Sequence, residues 1–287
     1  MEDRTFQYRK SKGIVSELVK RSITGVFFVT VLVGGIWLHH ISFLCLFAFI
    51  TAGAMCEFYR IINKDGLLTQ KYLGVITGVT LFVVNFFYAQ AVAGSEWFLI
   101  LIFLVALMFI SELYRGKDRP FDNIAYSVLG VVYIAVPFSA LNYFVFPNGS
   151  GGAGFTPEIL LGFFFLMWAS DTGAYLAGSK FGRHRLFERI SPKKSWEGFA
   201  GGVLLSLAVA FILSYCFKVL SLTDWLIISG LVSVFGVYGD LNESMLKRSL
   251  NIKDSGTILP GHGGFLDRFD SVLLAAPIVF IYLRLFV

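Results

Sequence analysis

Charged residues make up only 15% of this 287-residue chain, against about 25% in soluble globular domains. With 56% hydrophobic residues and a mean hydropathy of +0.72, an ordinary water-soluble domain is excluded. Cysteine is scarce too. Cys45, Cys56 and Cys216 all sit in apolar runs with no C-x-x-C spacing, so they form no zinc-ligand pattern and read as small buried hydrophobes. The net charge of +5 is not laid out as basic residues interleaved with aromatics on one surface, the footprint of a nucleic-acid binder. No small-residue cleavage site follows the first apolar run, so that run is expected to stay as an anchor rather than leave as a signal peptide.

What the chain has in abundance is long oily stretches. A spanning helix needs about 17–25 apolar residues. Nine stretches qualify, at about 22–38, 41–59, 72–89, 97–114, 124–146, 159–178, 199–217, 223–239 and 271–287. The first two are parted only by His39-His40, which reads as an abrupt turn. The expected fold is therefore an all-α polytopic membrane protein of about nine transmembrane helices. Alternate loops hold 22 of the 24 lysines and arginines, with Lys218 and Arg284 left on the other side. Cytoplasmic loops carry the positive excess, which places the N-terminus in the cytoplasm and the C-terminus outside. Three regions follow: a basic cytoplasmic tail over 1–21, N-terminal transmembrane helices over 22–158, and a C-terminal transmembrane region over 159–287 where polar residues gather. Glu57 with Arg60, and Glu112 with Arg115, read as interfacial ion pairs with a structural role. Gly74/Gly78 and Gly198/Gly202 are G-x-x-x-G pairs that permit close helix packing.

One stretch breaks the oily pattern. Between Asp240 and Asp270 lie nine charged residues, each costing roughly 2.5–3.5 kcal/mol at the bilayer centre. The stretch must lie in water, at an interface or in a protein-lined cavity. Asp240, Glu243 and Lys247 fall at i, i+3 and i+7, one face of a helix. Asp267 and Asp270 share a face of the next helix. Between them, Pro260-Gly261-His262-Gly263-Gly264 forms a tight turn that lets backbone N–H groups approach a ligand. Carboxylates suit a hard cation, and lysine and arginine suit phosphate. The combination points to metal-assisted phosphoryl or nucleotidyl transfer; a charged loop with a glycine turn is the plainer reading of the same composition. Two further runs stand upstream. Asp171, in Ser170-Asp171-Thr172-Gly173-Ala174-Tyr175, lies inside an apolar run, where an ionisable residue is a functional hypothesis by default; an Asp hydrogen-bonded to neighbouring helices is the structural reading. Ser191-Pro192-Lys193-Lys194-Ser195-Trp196-Glu197-Gly198 places two lysines before a helix start, a plausible phosphate clamp.

Together with Gly239-Asp240-Leu241-x-Glu243-Ser244, which leads into the long stretch, these runs make four ordered motifs over about residues 168–270 that resemble the phosphatidate cytidylyltransferase (CDP-diacylglycerol synthase) family. The resemblance rests most on Ser244-x-Leu246-Lys247-Arg248, Lys253-Asp254-x-Gly256 and Pro260-x-His262-Gly263-Gly264-x-x-Asp267-Arg268-x-Asp270. It implies transfer of the cytidylyl group of CTP to phosphatidate, giving CDP-diacylglycerol and pyrophosphate for phospholipid synthesis in the cytoplasmic membrane. On that basis Asp240, Asp267 and Asp171 are expected to bind Mg²⁺, with Asp270 beside them and a second cation compatible with so many carboxylates. Asp171, Asp240, Asp267, Asp270, Lys247 and His262 are expected to act in catalysis. Lys193, Lys194, Ser195, Arg248, Lys253, Gly263, Gly264 and Arg268 are expected to hold substrate. The implied partners are CTP, phosphatidate and membrane lipid, with no nucleic acid, and a homodimer is consistent with the resemblance. A CTP-dependent polyprenol or phytol kinase shares only parts of the pattern. A transporter would place its site near the midplane between internal repeats, and none is evident.

Overall fold

The computed structural model describes residues 23–147, 154–252, 255–256 and 263–287. The basic tail, most of the glycine-rich 148–154 connector, Lys253 and His262 lie outside the described residues. Helix α1 runs Ile23–Trp37. It is followed by α2 (His40–Lys64), α3 (Lys71–Ala89) and α4 (Leu99–Arg115), the last entered through a 3₁₀ turn, Ser95–Phe98. A fifth span, Pro120–Val145, consists of α5 (Pro120–Gly130), a π turn (Val131–Ala135), α6 (Val136–Ala140) and α7 (Asn142–Val145). Then come α8 (Glu158–Phe181), a hairpin of β1 (Arg185–Phe187) and β2 (Ser191–Ser195), α9 (Trp196–Cys216), α10 (Leu222–Ser249) and α11 (Leu266–Phe286).

Eight of these segments are long and apolar enough to cross a membrane, so the chain is a helical integral membrane protein. The ninth expected span is present among the described residues only as the shorter α1, about 22 Å of helix at ~1.5 Å per residue. The turn expected at His39-His40 is there. His39 caps α2, its Nδ1 accepting the Ile41 N–H at 3.2 Å while Ser42 Oγ accepts the His39 N–H. Among the described residues the helical pattern is interrupted by a two-stranded antiparallel sheet, the β1–β2 hairpin, which carries the lysine pair.

Phenylalanine builds the interior. Phe43, Phe47, Phe82, Phe86, Phe138, Phe144, Phe163 and Phe269 are all buried, and edge-to-face and tilted ring contacts link α2, α3, α6, α8 and α11. Both G-x-x-x-G pairs lie at packed contacts. Gly74 faces the Tyr59 ring and Gly78 faces Met55. Gly198 and Gly202 meet the backbone of α8 at Ala174 and Ser170. The cysteines depart from expectation: Cys45 and Cys216 are exposed and Cys56 is half-buried, because α2 and α9 each turn part of their surface outward. The Glu112–Arg115 pair forms at 2.6 Å. The expected Glu57–Arg60 pair gives way to a different arrangement, in which Glu57 is fully buried and accepts the Leu266 N–H at 3.0 Å.

Candidate active site

Helix α10 runs ten residues beyond the apolar stretch that announced it, to Ser249. That extension carries Asp240, Glu243 and Lys247 on one face, as their spacing requires. Lys247 Nζ lies 2.5 Å from Glu243 Oε2 and 2.8 Å from Asp267 Oδ1. One ammonium therefore joins α10 to the first turn of α11 and neutralises a fully buried carboxylate. Asp267 holds more than the lysine. Its Oδ2 accepts the Ser255 hydroxyl at 2.8 Å, the Ser255 N–H at 3.1 Å and the Gly264 N–H at 2.9 Å. The described ends of the glycine-rich segment are thus tied to one side chain. Gly263 has φ +84°, a left-handed backbone that glycine adopts without the steric cost of a Cβ.

The hairpin brings the second half of the site. Ser195 ends β2 and caps α9, its Oγ accepting the Gly198 N–H at 3.1 Å. Its neighbour Lys194 reaches across to Asp240 Oδ2 at 2.6 Å. Asp240 Oδ1 accepts the Ser244 hydroxyl at 3.2 Å. Glu197 in turn fastens the approach to the hairpin by accepting the Arg183 N–H and contacting His184 Nδ1 at 2.6 Å. The base of this arrangement is a close contact of α8 with α9. A Cβ on Gly173 would stand 2.5 Å from the Gly201 carbonyl oxygen, so glycine at 173 is what lets Asp171, two residues earlier, lie near the hairpin.

Two cavities meet at Asp171 and Asp240. The larger, about 390 Å³, runs from Asp171, Asp240, Asp267, Arg268 and Asp270 to an apolar wall that includes Phe28, Leu32, Phe164 and Trp168. The smaller, about 240 Å³, is lined by Lys193, Lys194, Ser195, Tyr175 and Leu186 together with the same two aspartates. Of the residues singled out in the sequence, eight are therefore brought to these cavities: Asp171, Lys193, Lys194, Ser195, Asp240, Asp267, Arg268 and Asp270. Lys247 and Gly264 lie just behind them through Asp267. Arg248 is exposed on the last turn of α10 and lines neither cavity. Sequence reasoning missed Glu57 as a neighbour of the glycine segment. No local signal links it to residues more than 200 positions away.

The donor set can be tested against a divalent cation. Asp171, Asp240 and Asp270 supply hard carboxylate oxygens to one cavity, the chemistry Mg²⁺ takes with one or two carboxylates, water and substrate phosphate. Among the described residues no three such groups already surround a single point. A cation that needs only one or two protein ligands fits this set. Both oxygens of Asp267 are engaged by Lys247, Ser255 and Gly264, and both oxygens of Asp240 by Lys194 and Ser244, so either carboxylate joins an ion only by releasing one of these partners.

Fold and site together define an integral membrane protein whose carboxylate-lined cavities meet an apolar wall on one side and lysines on the other. The cytidylyltransferase family matches residues 19–286, and the chain belongs to that family as a nucleotidyltransferase. A phosphatidate cytidylyltransferase of Bacillus subtilis is 37% identical over 203 residues, covering 70% of this chain and 72% of the relative. Proteins of the same name from Staphylococcus epidermidis and Staphylococcus haemolyticus are 34% and 33% identical. They cover 84% and 90% of this chain and 89% and 94% of their own lengths.

Proposed function

We propose that this chain transfers the cytidylyl group of CTP to phosphatidate, releasing pyrophosphate and forming CDP-diacylglycerol. The observation that carries the reading is the placement of Asp171 and Asp240 between an apolar-walled cavity and a lysine-lined one. The lipid phosphate enters from the first, with its chains along Phe28, Leu32, Phe164 and Trp168. The CTP triphosphate lies against Lys193 and Lys194 in the second. An oxygen of the lipid phosphate forms a bond to the α-phosphorus of CTP, and the bond from that phosphorus to the bridging oxygen of the pyrophosphate breaks. The phosphate monoester is largely ionised near pH 7, so no side chain must first remove a proton.

Both reactants are polyanions, and the site's task is neutralisation and alignment. Lys193, Lys194 and Arg268 supply positive charge around the phosphates. Mg²⁺, held by one or two of Asp171, Asp240 and Asp270, would supply further charge neutralisation at the transferring phosphoryl group. Asp267 and Lys247 hold the glycine segment and the start of α11 in register with these groups. We assign the charged ends of α8, α10 and α11 to the cytoplasmic face of the cytoplasmic membrane, with nine spans and the C-terminus outside. The support is the lysine and arginine bias of the loops.

The test is pyrophosphate release by the detergent-purified protein given CTP, Mg²⁺ and phosphatidate, with each omitted in turn. Release that needs all three, with a CDP-lipid product, is the expected result. CDP release with a polyprenol acceptor would replace this reading with a lipid kinase, and absence of nucleotide turnover with either acceptor would remove it.

A further inference from the structure

Helix α11 begins at Leu266, and its N-cap residue, Phe265, provides no side-chain cap. Helix N-termini leave their first N–H groups without intrahelical partners. The Leu266 N–H is instead accepted by Glu57 Oε2 at 3.0 Å, from a helix 209 residues earlier in the chain. The same face of α2 makes the rest of the seat. Phe49, Gly53 and Glu57 recur every four residues. The Phe49 ring meets the Phe265 ring edge-on at 5.6 Å. A Cβ on Gly53 would stand 2.6 Å from Phe265 Cδ2, so glycine leaves the space that ring occupies. Among the described residues Glu57 Oε1 has no hydrogen-bond partner. It lies where a Cβ on Gly256 would be 2.6 Å away, and Gly264 is equally close to the same carboxylate. The side chain is wholly buried. The glycines at 256 and 264 thus leave room for a carboxylate arriving from α2, while Asp267 grips Ser255 and Gly264 from the other side.

We infer that Glu57 is a positioning residue for the transfer reaction, a cap supplied from α2 of the same chain that fixes the start of α11 and both described ends of the glycine segment. Its hydrogen bond goes to the Leu266 N–H rather than to a carboxylate of the cavities. It acts through Leu266 on Asp267, Arg268 and Asp270, which follow within four residues and line the larger cavity. A negative side chain at this helix end is also favoured by the helix dipole. The inference rests on the cytidylyl-transfer reading for its activity arm only.

Reach and acceptor oxygen, not charge, define this role, and two variants separate them. Glu57→Gln keeps the length and one acceptor oxygen for the Leu266 N–H. Glu57→Asp keeps the charge and withdraws the acceptor by one methylene. A shift of about 1 Å in a catalytic group costs on the order of 10²-fold in rate. The expected result is pyrophosphate release within about threefold of the parent for Glu57→Gln and a loss of at least about tenfold for Glu57→Asp, with the loss in kcat rather than in KM for CTP. A readout independent of turnover is trypsin cleavage between Ser249 and Leu266 in the full-length protein in detergent. It should accelerate in Glu57→Asp and not in Glu57→Gln, with cleavage in the 116–119 loop unchanged in both. The reverse order of the two variants, equal behaviour in both, or faster cleavage at both sites alike would overturn the inference. If the parent protein shows no nucleotide turnover, the cytidylyl-transfer reading fails, and the cleavage arm alone still decides whether Glu57 seats the segment.

Discussion

Lys194 on the hairpin and Asp240 on α10 meet at 2.6 Å, and this contact is the seam between the two cavities. The lysine comes from a strand that only the α8–α9 packing brings near, and the carboxylate from the helix that leads into the glycine segment. A phosphate arriving beside Lys194 also arrives beside Asp240.

Removing this ammonium should therefore damage chemistry more than folding, because Lys194 is partly solvent-exposed. Loss of one preorganised donor to a transferring phosphoryl group costs about 10²-fold or more in kcat. Lys194→Ala is expected to lose on that order in pyrophosphate release, with an unchanged elution profile and thermal midpoint. Lys194→Arg should keep a larger share of activity, since it preserves the charge. Equal loss in both variants would point to the ammonium's shape rather than its charge.

Lys247 makes the opposite prediction. Its ammonium compensates Glu243, which is fully buried, and Asp267, which is nearly so. Removing one partner of a buried pair costs about 3–5 kcal/mol, because the remaining charge is left uncompensated. Lys247→Met should lower the thermal midpoint in detergent sharply and abolish turnover. Adding Glu243→Gln removes one of the two stranded charges and should recover part of the midpoint but not the activity. No recovery in the double variant would show that Glu243 is not held by the lysine.

Much of this was legible in the sequence, and the reasons differ by residue. The i, i+3, i+7 spacing put Asp240, Glu243 and Lys247 on one helical face, and the helix is there. Asp171 stood out because an ionisable residue inside an apolar run is costly, and it lines both cavities. The Glu112–Arg115 pair was readable because its partners are three residues apart. The same local logic failed for Glu57: Arg60 is equally near in sequence, but the true partner is a backbone N–H more than 200 residues away. The hairpin was missed because three to five residues of strand around a Lys-Lys pair show no alternation of oily and polar side chains. Cys45 and Cys216 were misjudged because an apolar run in a membrane helix does not reveal which side faces lipid.

The α8–α9 contact gives a graded test of packing. A Cβ on Gly173 would meet a backbone carbonyl, which cannot move aside as a flexible side chain does. Overpacking of this kind costs about 1–3 kcal/mol. Gly173→Ala should lower the thermal midpoint and, by displacing Asp171 from the cavities, lower turnover as well. Gly230→Ala on α10 is the control, because none of the described residues lies within 4 Å of the added methyl. It should leave activity unchanged and raise stability by up to about 1 kcal/mol through helix propensity. Indistinguishable midpoints for the two variants would mean that α8 and α9 pack more loosely than described.

The two-cavity arrangement predicts which Michaelis constant each wall controls. Trp168 and Phe164 belong to the apolar wall of the larger cavity and are absent from the smaller one. Lys193 belongs to the smaller cavity alone. Interactions made equally in the ground and transition states change KM without changing kcat. Trp168→Ala should accordingly raise KM for phosphatidate several-fold and leave KM for CTP near the parent value. Trp168 is half-buried, so its truncation removes about 2–3 kcal/mol of apolar contact at most, which bounds the effect. Lys193→Ala should do the reverse, raising KM for CTP, and it should weaken CTP binding less at high salt because an exposed charge is screened. Initial rates measured with one substrate varied and the other saturating would give both constants for both variants. If Trp168→Ala shifted the CTP constant, or Lys193→Ala the lipid constant, the two substrates would have to exchange cavities or share one. Asp171 and Asp240 would then no longer stand between them.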